Sequence, residues 1–145
     1  MIDTIIALAT PAGESALAVI RISGQLSHII AKEACNDPKP KPRNANLVNY
    51  RTFGGEILDQ VVITFFSKGN SYTGEDSLEI SCHGNPLITE MICKDLINRG
   101  CRIAEPGEFT RQAFLNGKID LPQAESVAQI IAAKNEQALA LAQRN

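Results

Sequence analysis

The sequence predicts an α+β fold: a small mixed or antiparallel sheet with packed helices, followed by a long helix. Three observations carry this. Short runs with period-two character recur at residues 4–9, 16–22, 47–53, 57–66 and 77–83. Helical periodicity falls between only some of them, so the regular β–α alternation of a doubly wound parallel sheet is missing. From Asp120 to Asn145 the chain is alanine-rich, helical in spacing, and shows no stop signal.

TIIALA (residues 4–9) is a β-rich run that Thr10-Pro11-Ala12-Gly13 breaks, and ALAVIRI (16–22) is a second strand ended by Ser23-Gly24. Residues 25–35 place Leu26, Ile29, Ile30 and Ala34 at helical spacing. DPKPKPRN (37–44) alternates proline with base and predicts an extended, polyproline-like loop, either a solvated connector or a phosphate contact. Residues 47–53 and 57–66 read as a hairpin around Gly54-Gly55, with both glycines at positive φ and both faces of the second strand largely buried. Ser77 to His83 alternates Leu78, Ile80 and Cys82 with Glu79, Ser81 and His83.

The helix after it is the best punctuated element. Asn85 caps, Pro86 opens, Gly100 stops, and Leu87, Ile88, Met91, Ile92 and Leu96 form the apolar stripe. Residues 101–104 offer a last strand. Pro106-Gly107 leads into a short helix carrying Phe109, Ala113 and Phe114, closed by Gly117. Asp120 and Gln123 have capping-box spacing and start a helix of about 24 residues along Ala124, Val127, Ala128, Ile131, Ala138, Leu141 and Ala142. Its alanine-rich faces have no evident cover in these 145 residues. The chain is therefore expected to be the front of a longer protein, with a C-terminal dimerisation helix as the alternative.

Composition is that of a soluble globular domain, 44% apolar and 21% charged, and the net charge of −2 argues against a broad nucleic-acid footprint. The four cysteines (35, 82, 93, 101) form no C-x-x-C pair and read as reduced thiols of a cytoplasmic protein. The N-terminus has no basic region before its apolar run, and no segment is long enough to span a membrane. No dinucleotide fingerprint, P-loop or nucleophile elbow occurs, so no metal or covalent catalytic site is expected in this segment.

Three charged residues stand out by position. Arg21 shares a strand face with Leu17 and Val19, Glu79 lies mid-strand on a polar face, and Lys118 follows Gly117 at a junction between helices. One reading is an Arg21–Glu79 ion pair tying two strands, with Lys118 solvated. The other is a ligand site. The helix start at residues 83–86 is a weak anion site, and SYTGED (71–76) lacks the spacing of a calcium loop.

MIDTIIALATPAG (1–13), RISG (21–24), SYTGEDSLEISCHG (71–84) and EPGEFTRQAFLNGKIDLPQAESV (105–127) strongly resemble the N-terminal domain of the MnmE (TrmE) family of tRNA modification GTPases. The resemblance runs from end to end. It implies that residues 1–118 are a folate-binding and dimerisation domain, similar to the folate-binding domain of the aminomethyltransferase family, and that 119–145 begin a helical domain. It further implies a homodimer, 5-formyltetrahydrofolate or a related one-carbon tetrahydrofolate as cofactor, and a flavin-protein partner, MnmG. The parent protein would hydrolyse GTP with Mg2+ and K+ and support aminomethyl-type modification at C5 of the wobble uridine of tRNA. Carried over residue by residue, Arg21, Glu79 and Lys118 become folate contacts converging on one cavity, with Ser81 and His83 on the same wall. Glu79 would accept the paired N–H donors of the pterin.

Three departures qualify this. Gly84-Asn85 stands where the family often has two glycines, and Asn85 still suits a cap. DLPQAE puts Pro122 in a first helical turn, where proline is tolerated. The chain also ends before a P-loop, so this fragment is not expected to hydrolyse GTP. Two other readings stand beside the resemblance: a dimerisation scaffold with a non-functional folate pocket, and a stand-alone one-carbon transferase.

Overall fold

The alternating runs pair into one six-stranded sheet in the computed structural model, which describes residues 3–10 and 16–144. In chain order the elements are β1 (Ile5–Leu8), β2 (Leu17–Ser23), α1 (Leu26–Cys35), β3 (Asn46–Arg51), β4 (Ile57–Phe66), a 3-10 turn (Lys68–Asn70), β5 (Ser77–His83), α2 (Pro86–Asn98), β6 (Arg102–Ile103), α3 (Glu108–Leu115) and α4 (Leu121–Arg144). The chain divides into two compact units: Met1–Ser71 with Glu75–Ile103, and Tyr72–Gly74 with Ala104–Asn145.

The first unit holds the sheet, in the order β3-β4-β5-β2-β1-β6. All neighbours are antiparallel except β1 and β6, so the sheet is mixed and the fold is α+β. Helices α1 and α2 cover one face. There Ala18, Ile20 and Ile22 of β2, Val61, Ile63 and Phe65 of β4, and Leu78, Ile80 and Cys82 of β5 meet Ile30, Ala31, Ala34, Ile92 and Leu96. The strands alternate because only this face is dry.

The second unit holds α3 and α4. Asp120 and Gln123 close the expected capping box: Gln123 N–H donates to Asp120 Oδ1 at 2.8 Å, and Asp120 N–H to Gln123 Oε1 at 2.9 Å. Pro122 lies in the first turn, where its missing N–H costs nothing. The motifs TGE and LNG meet in this unit. Asn116 Nδ2 donates to Thr73 O at 2.8 Å, and a Cβ at Gly74 (φ +82°) would stand 2.7 Å from Asn116 Cβ.

Several expectations are corrected. Ile29 is exposed, and the buried face of α1 is Ser27, Ile30, Ala31, Ala34 and Cys35, because the helix lies on the sheet about one residue further round. Leu87 and Met91 are likewise exposed, leaving Ile92 and Leu96 as the dry part of the α2 stripe. Phe114 is exposed too. In the hairpin only Gly55 has positive φ. The turn is five residues long and closed by Thr52 N–H to Glu56 O and Gly55 N–H to Thr52 O, so one left-handed residue suffices. On β4 the Val62, Thr64 and Phe66 face is only half-buried. Pro11 to Gly13, expected as a breaker, and the side chains of Ala138, Leu141 and Ala142 lie outside the described residues.

Candidate functional site

The outer face of the sheet carries four of the five residues singled out. Register aligns Arg21 with Glu79, Val19 with Ser81 and Leu17 with His83 across β2 and β5. Antiparallel partners that face each other put their side chains on the same side. Arg21, Glu79, Ser81 and His83 therefore share one face. Arg21 shares its face with Leu17 and Val19, but this is the wetter side of β2, whose dry face is Ala18, Ile20 and Ile22.

Arg21 and Glu79 are in contact. Arg21 Nη2 lies 3.2 Å and Nε 3.3 Å from Glu79 Oε1, with the two side chains 38% and 31% exposed. Both bonds reach the same oxygen. Glu79 Oε2 makes no hydrogen bond to a described residue, so the carboxylate keeps an acceptor oxygen that the guanidinium does not occupy. A pair this wet contributes little to stability. Thr64 of β4 lies opposite Glu79 on the other side.

His83 ends the wall. Its Nδ1 lies 2.8 Å from Asp59 Oδ1, and its backbone N–H donates to Asp59 Oδ2 at 2.9 Å. The ring is largely exposed and Asp59 is not, so Asp59 orients an imidazole that faces solvent. Cys82 points to the core, as adjacency in a strand requires, and burial pushes its thiol up to about 11. Among the described residues no group of three or more His, Cys, Asp or Glu is arranged to hold a metal ion.

Lys118 belongs to the second unit. It is exposed, its N–H donates to Ala113 O at 2.8 Å, and its Cγ lies 3.3 Å from where a Cβ on Gly74 would be.

The end of β2 explains the RISG motif. Ser23 Oγ donates to Glu75 Oε1 at 3.0 Å, Gly24 N–H to Asp76 O at 2.9 Å, and Ser27 Oγ to the same carbonyl at 3.0 Å. Ser71 Oγ donates to Glu75 O. The acidic end of SYTGED is thus tied to the end of β2 and the start of α1 through the Glu75 carboxylate and the Asp76 carbonyl.

The family model described as "GTP-binding protein TrmE N-terminus" matches residues 4–118. The chain belongs to the TrmE N-terminal family. A protein of Opitutus terrae named tRNA modification GTPase MnmE is 56% identical over 97% of this chain and 31% of its own length. Relatives of the same name from Fervidobacterium nodosum and Thermotoga maritima are 48% and 46% identical over 99% of this chain and 32% of theirs. The chain thus spans about a third of the length of the curated relatives it matches. All four motifs of the resemblance overlap the TrmE-matched region, and the four residues of the face, Arg21, Glu79, Ser81 and His83, fall inside them.

One polar cluster escaped the sequence reading. Asp95 on α2 is buried and accepts from Tyr50 OH at 2.6 Å, Phe53 N–H at 2.9 Å and Arg99 Nε at 2.8 Å. Burial, then the bond to Asp95, raises the Tyr50 phenol above its ordinary range. A signal was present: Asp95 and Arg99 are four apart on one helix, and Asp95 falls beside Leu96 on the apolar stripe.

Proposed function

We propose that this chain is the folate-binding and dimerisation module of a tRNA-modifying GTPase. Residues 1–118 form the module, with a fold of the aminomethyltransferase folate-binding kind, and 119–145 begin a helical domain. The cofactor is 5-formyltetrahydrofolate or a related one-carbon tetrahydrofolate. The parent protein acts in the cytoplasm with MnmG and tRNA, supporting C5 modification of wobble uridine, and hydrolyses GTP with Mg2+ and K+ in a part of the chain beyond this segment.

The observation that carries this reading is the Arg21–Glu79 pair. A guanidinium bonded to one carboxylate oxygen holds the carboxylate in place and leaves Oε2 to accept from a ligand. A pterin presents two neighbouring N–H donors, the complement of a carboxylate edge. Ser81 and His83 lie along the same face and suit polar ring edges. Lys118 is a third contact on the strength of the resemblance, suited to a carbonyl or carboxylate oxygen of the folate.

Calorimetry with 5-formyltetrahydrofolate tests it. Wild type binds, and Glu79→Ala binds at least tenfold more weakly, since a charge-assisted pair of hydrogen bonds is worth about 1.5–3 kcal/mol. Equal affinity in the two removes Glu79 from the site. No binding by either leaves the dimerisation scaffold with a non-functional pocket, which light scattering would still report as a dimer.

A further inference from the structure

The loop of alternating proline and base is not absorbed by a folate site. Residues 36–45 connect α1 to β3 without regular structure, and Lys39, Lys41 and Arg43 are all exposed. Two anchors hold the loop beside the 3-10 turn. Arg43 N–H donates to Phe65 O at 2.8 Å, and Arg43 Nη2 donates to Asn70 Oδ1 at 2.8 Å. Lys68, exposed, starts that turn. Four cations thus occupy two adjoining loops.

Nearby acid does not cancel them. Within residues 36–45 and the turn Lys68–Asn70 the one carboxylate is Asp37, and its Oδ2 accepts from Asn46 Nδ2 at 3.2 Å. Among the described residues Lys39, Lys41 and Lys68 form no ion pair. Lys39, Lys41 and Asn44 line a hollow of about 310 Å³ with Asp37, Ala45 and Asn46. Pro38, Pro40 and Pro42 restrict the backbone, so the two lysines are presented with little chain entropy left to lose. In a chain of net charge −2, such a cluster is a local exception.

We propose that this two-loop patch is a contact for the phosphate backbone of RNA, with Lys39 and Lys41 as its centre and Arg43 and Lys68 at its edge. The patch reads charge and spacing, not sequence, because no aromatic side chain lies within residues 36–45 or the turn Lys68–Asn70 to stack a base. The identity of the RNA as tRNA rests on the proposed function above.

The test uses the full-length protein and a fluorescently labelled, unmodified tRNA transcript, titrated at several salt concentrations. Lys39→Glu/Lys41→Glu is compared with wild type and with Lys94→Glu, a charge reversal on α2 where Lys94 pairs with Glu90. The double variant is expected to bind at least tenfold more weakly. It should also lower the slope of log K against log salt by about 1.5, two phosphate contacts being lost. Lys94→Glu should keep the wild-type slope, and all three proteins should melt alike.

Unchanged affinity and slope in the double variant overturn the proposal. So does an equal loss in Lys94→Glu, which reports net charge alone. Selective displacement of tRNA by millimolar inorganic phosphate, beyond chloride of equal ionic strength, makes the hollow a free-anion site and also overturns it. Loss of a protein partner with tRNA affinity intact assigns the patch to an acidic protein surface instead. A wild-type protein that binds no tRNA, alone or with its flavin partner, removes the tRNA reading itself, a failure distinct from that of the patch.

Discussion

Two charged clusters of the first unit, Asp95 with Arg99 and Arg21 with Glu79, differ in what they do. Asp95 is buried under three donors, so Asp95→Ala strands Tyr50 OH, Phe53 N–H and the Arg99 guanidinium together. Removing one partner of a buried pair costs about 3–5 kcal/mol, and the urea midpoint of this chain should fall accordingly. A loss below about 1 kcal/mol would mean that water replaces the carboxylate without penalty. Arg21 is the opposite case. Its pair with Glu79 is about a third exposed, so Arg21→Met should change stability by less than about 1 kcal/mol. If Arg21 orients Glu79 for a ligand, the same substitution weakens folate binding at least tenfold. Stability and affinity therefore separate the structural reading of this pair from the binding one, which the sequence alone left open.

Elements were legible where their signals are local. Asn85 Oδ1 accepts from Leu87 N–H at 2.8 Å, and the Asp120–Gln123 box closes, because a cap needs only residues two or three apart. The faces of α1 and α2 were misjudged at Ile29, Leu87 and Met91, since the angle at which a helix meets a sheet depends on strands far away in the chain. Arg21 opposite Glu79 required knowing that β2 pairs β5 and in which register, a fact spread over 58 residues. The start of α1 shows how distant sequence supplies a cap. Gln25 gives no side-chain bond, and Thr4 Oγ1 accepts from Leu26 N–H at 3.1 Å instead. Gly24 makes that approach possible: at φ +137°, a Cβ would lie 2.5 Å from Thr4 Oγ1 and 2.7 Å from Thr4 Cα. Gly24→Ala must move β1 away from α1 or abandon the turn. It should destabilise by about 2 kcal/mol or more, read from the urea midpoint. An alanine tolerated at wild-type stability would contradict this packing.

At the scale of the whole chain, the sheet gathers thiols that are distant in sequence into one dry layer, and that has a consequence at alkaline pH. Burial pushes Cys35 up to about 12 and Cys82 and Cys101 up to about 11, from an ordinary 9.0. Above pH 9 the unfolded chain releases these protons while the native chain keeps them. The native state then binds more protons than the unfolded one, and stability falls as pH rises. The stabilisation is complete below pH 9 and is lost progressively through pH 11–12. Each thiol contributes a slope of roughly 1.4 kcal/mol per pH unit across its own window. Cys35 has the widest window, so Cys35→Ala should flatten the dependence of the unfolding free energy between pH 9.5 and 10.5 by about that amount, whatever its baseline cost as a cavity. Urea titrations at pH 8, 9.5 and 10.5 measure both curves. Parallel curves for wild type and variant would show that Cys35 ionises in the native state, and α1 could not then be seated on the sheet as described.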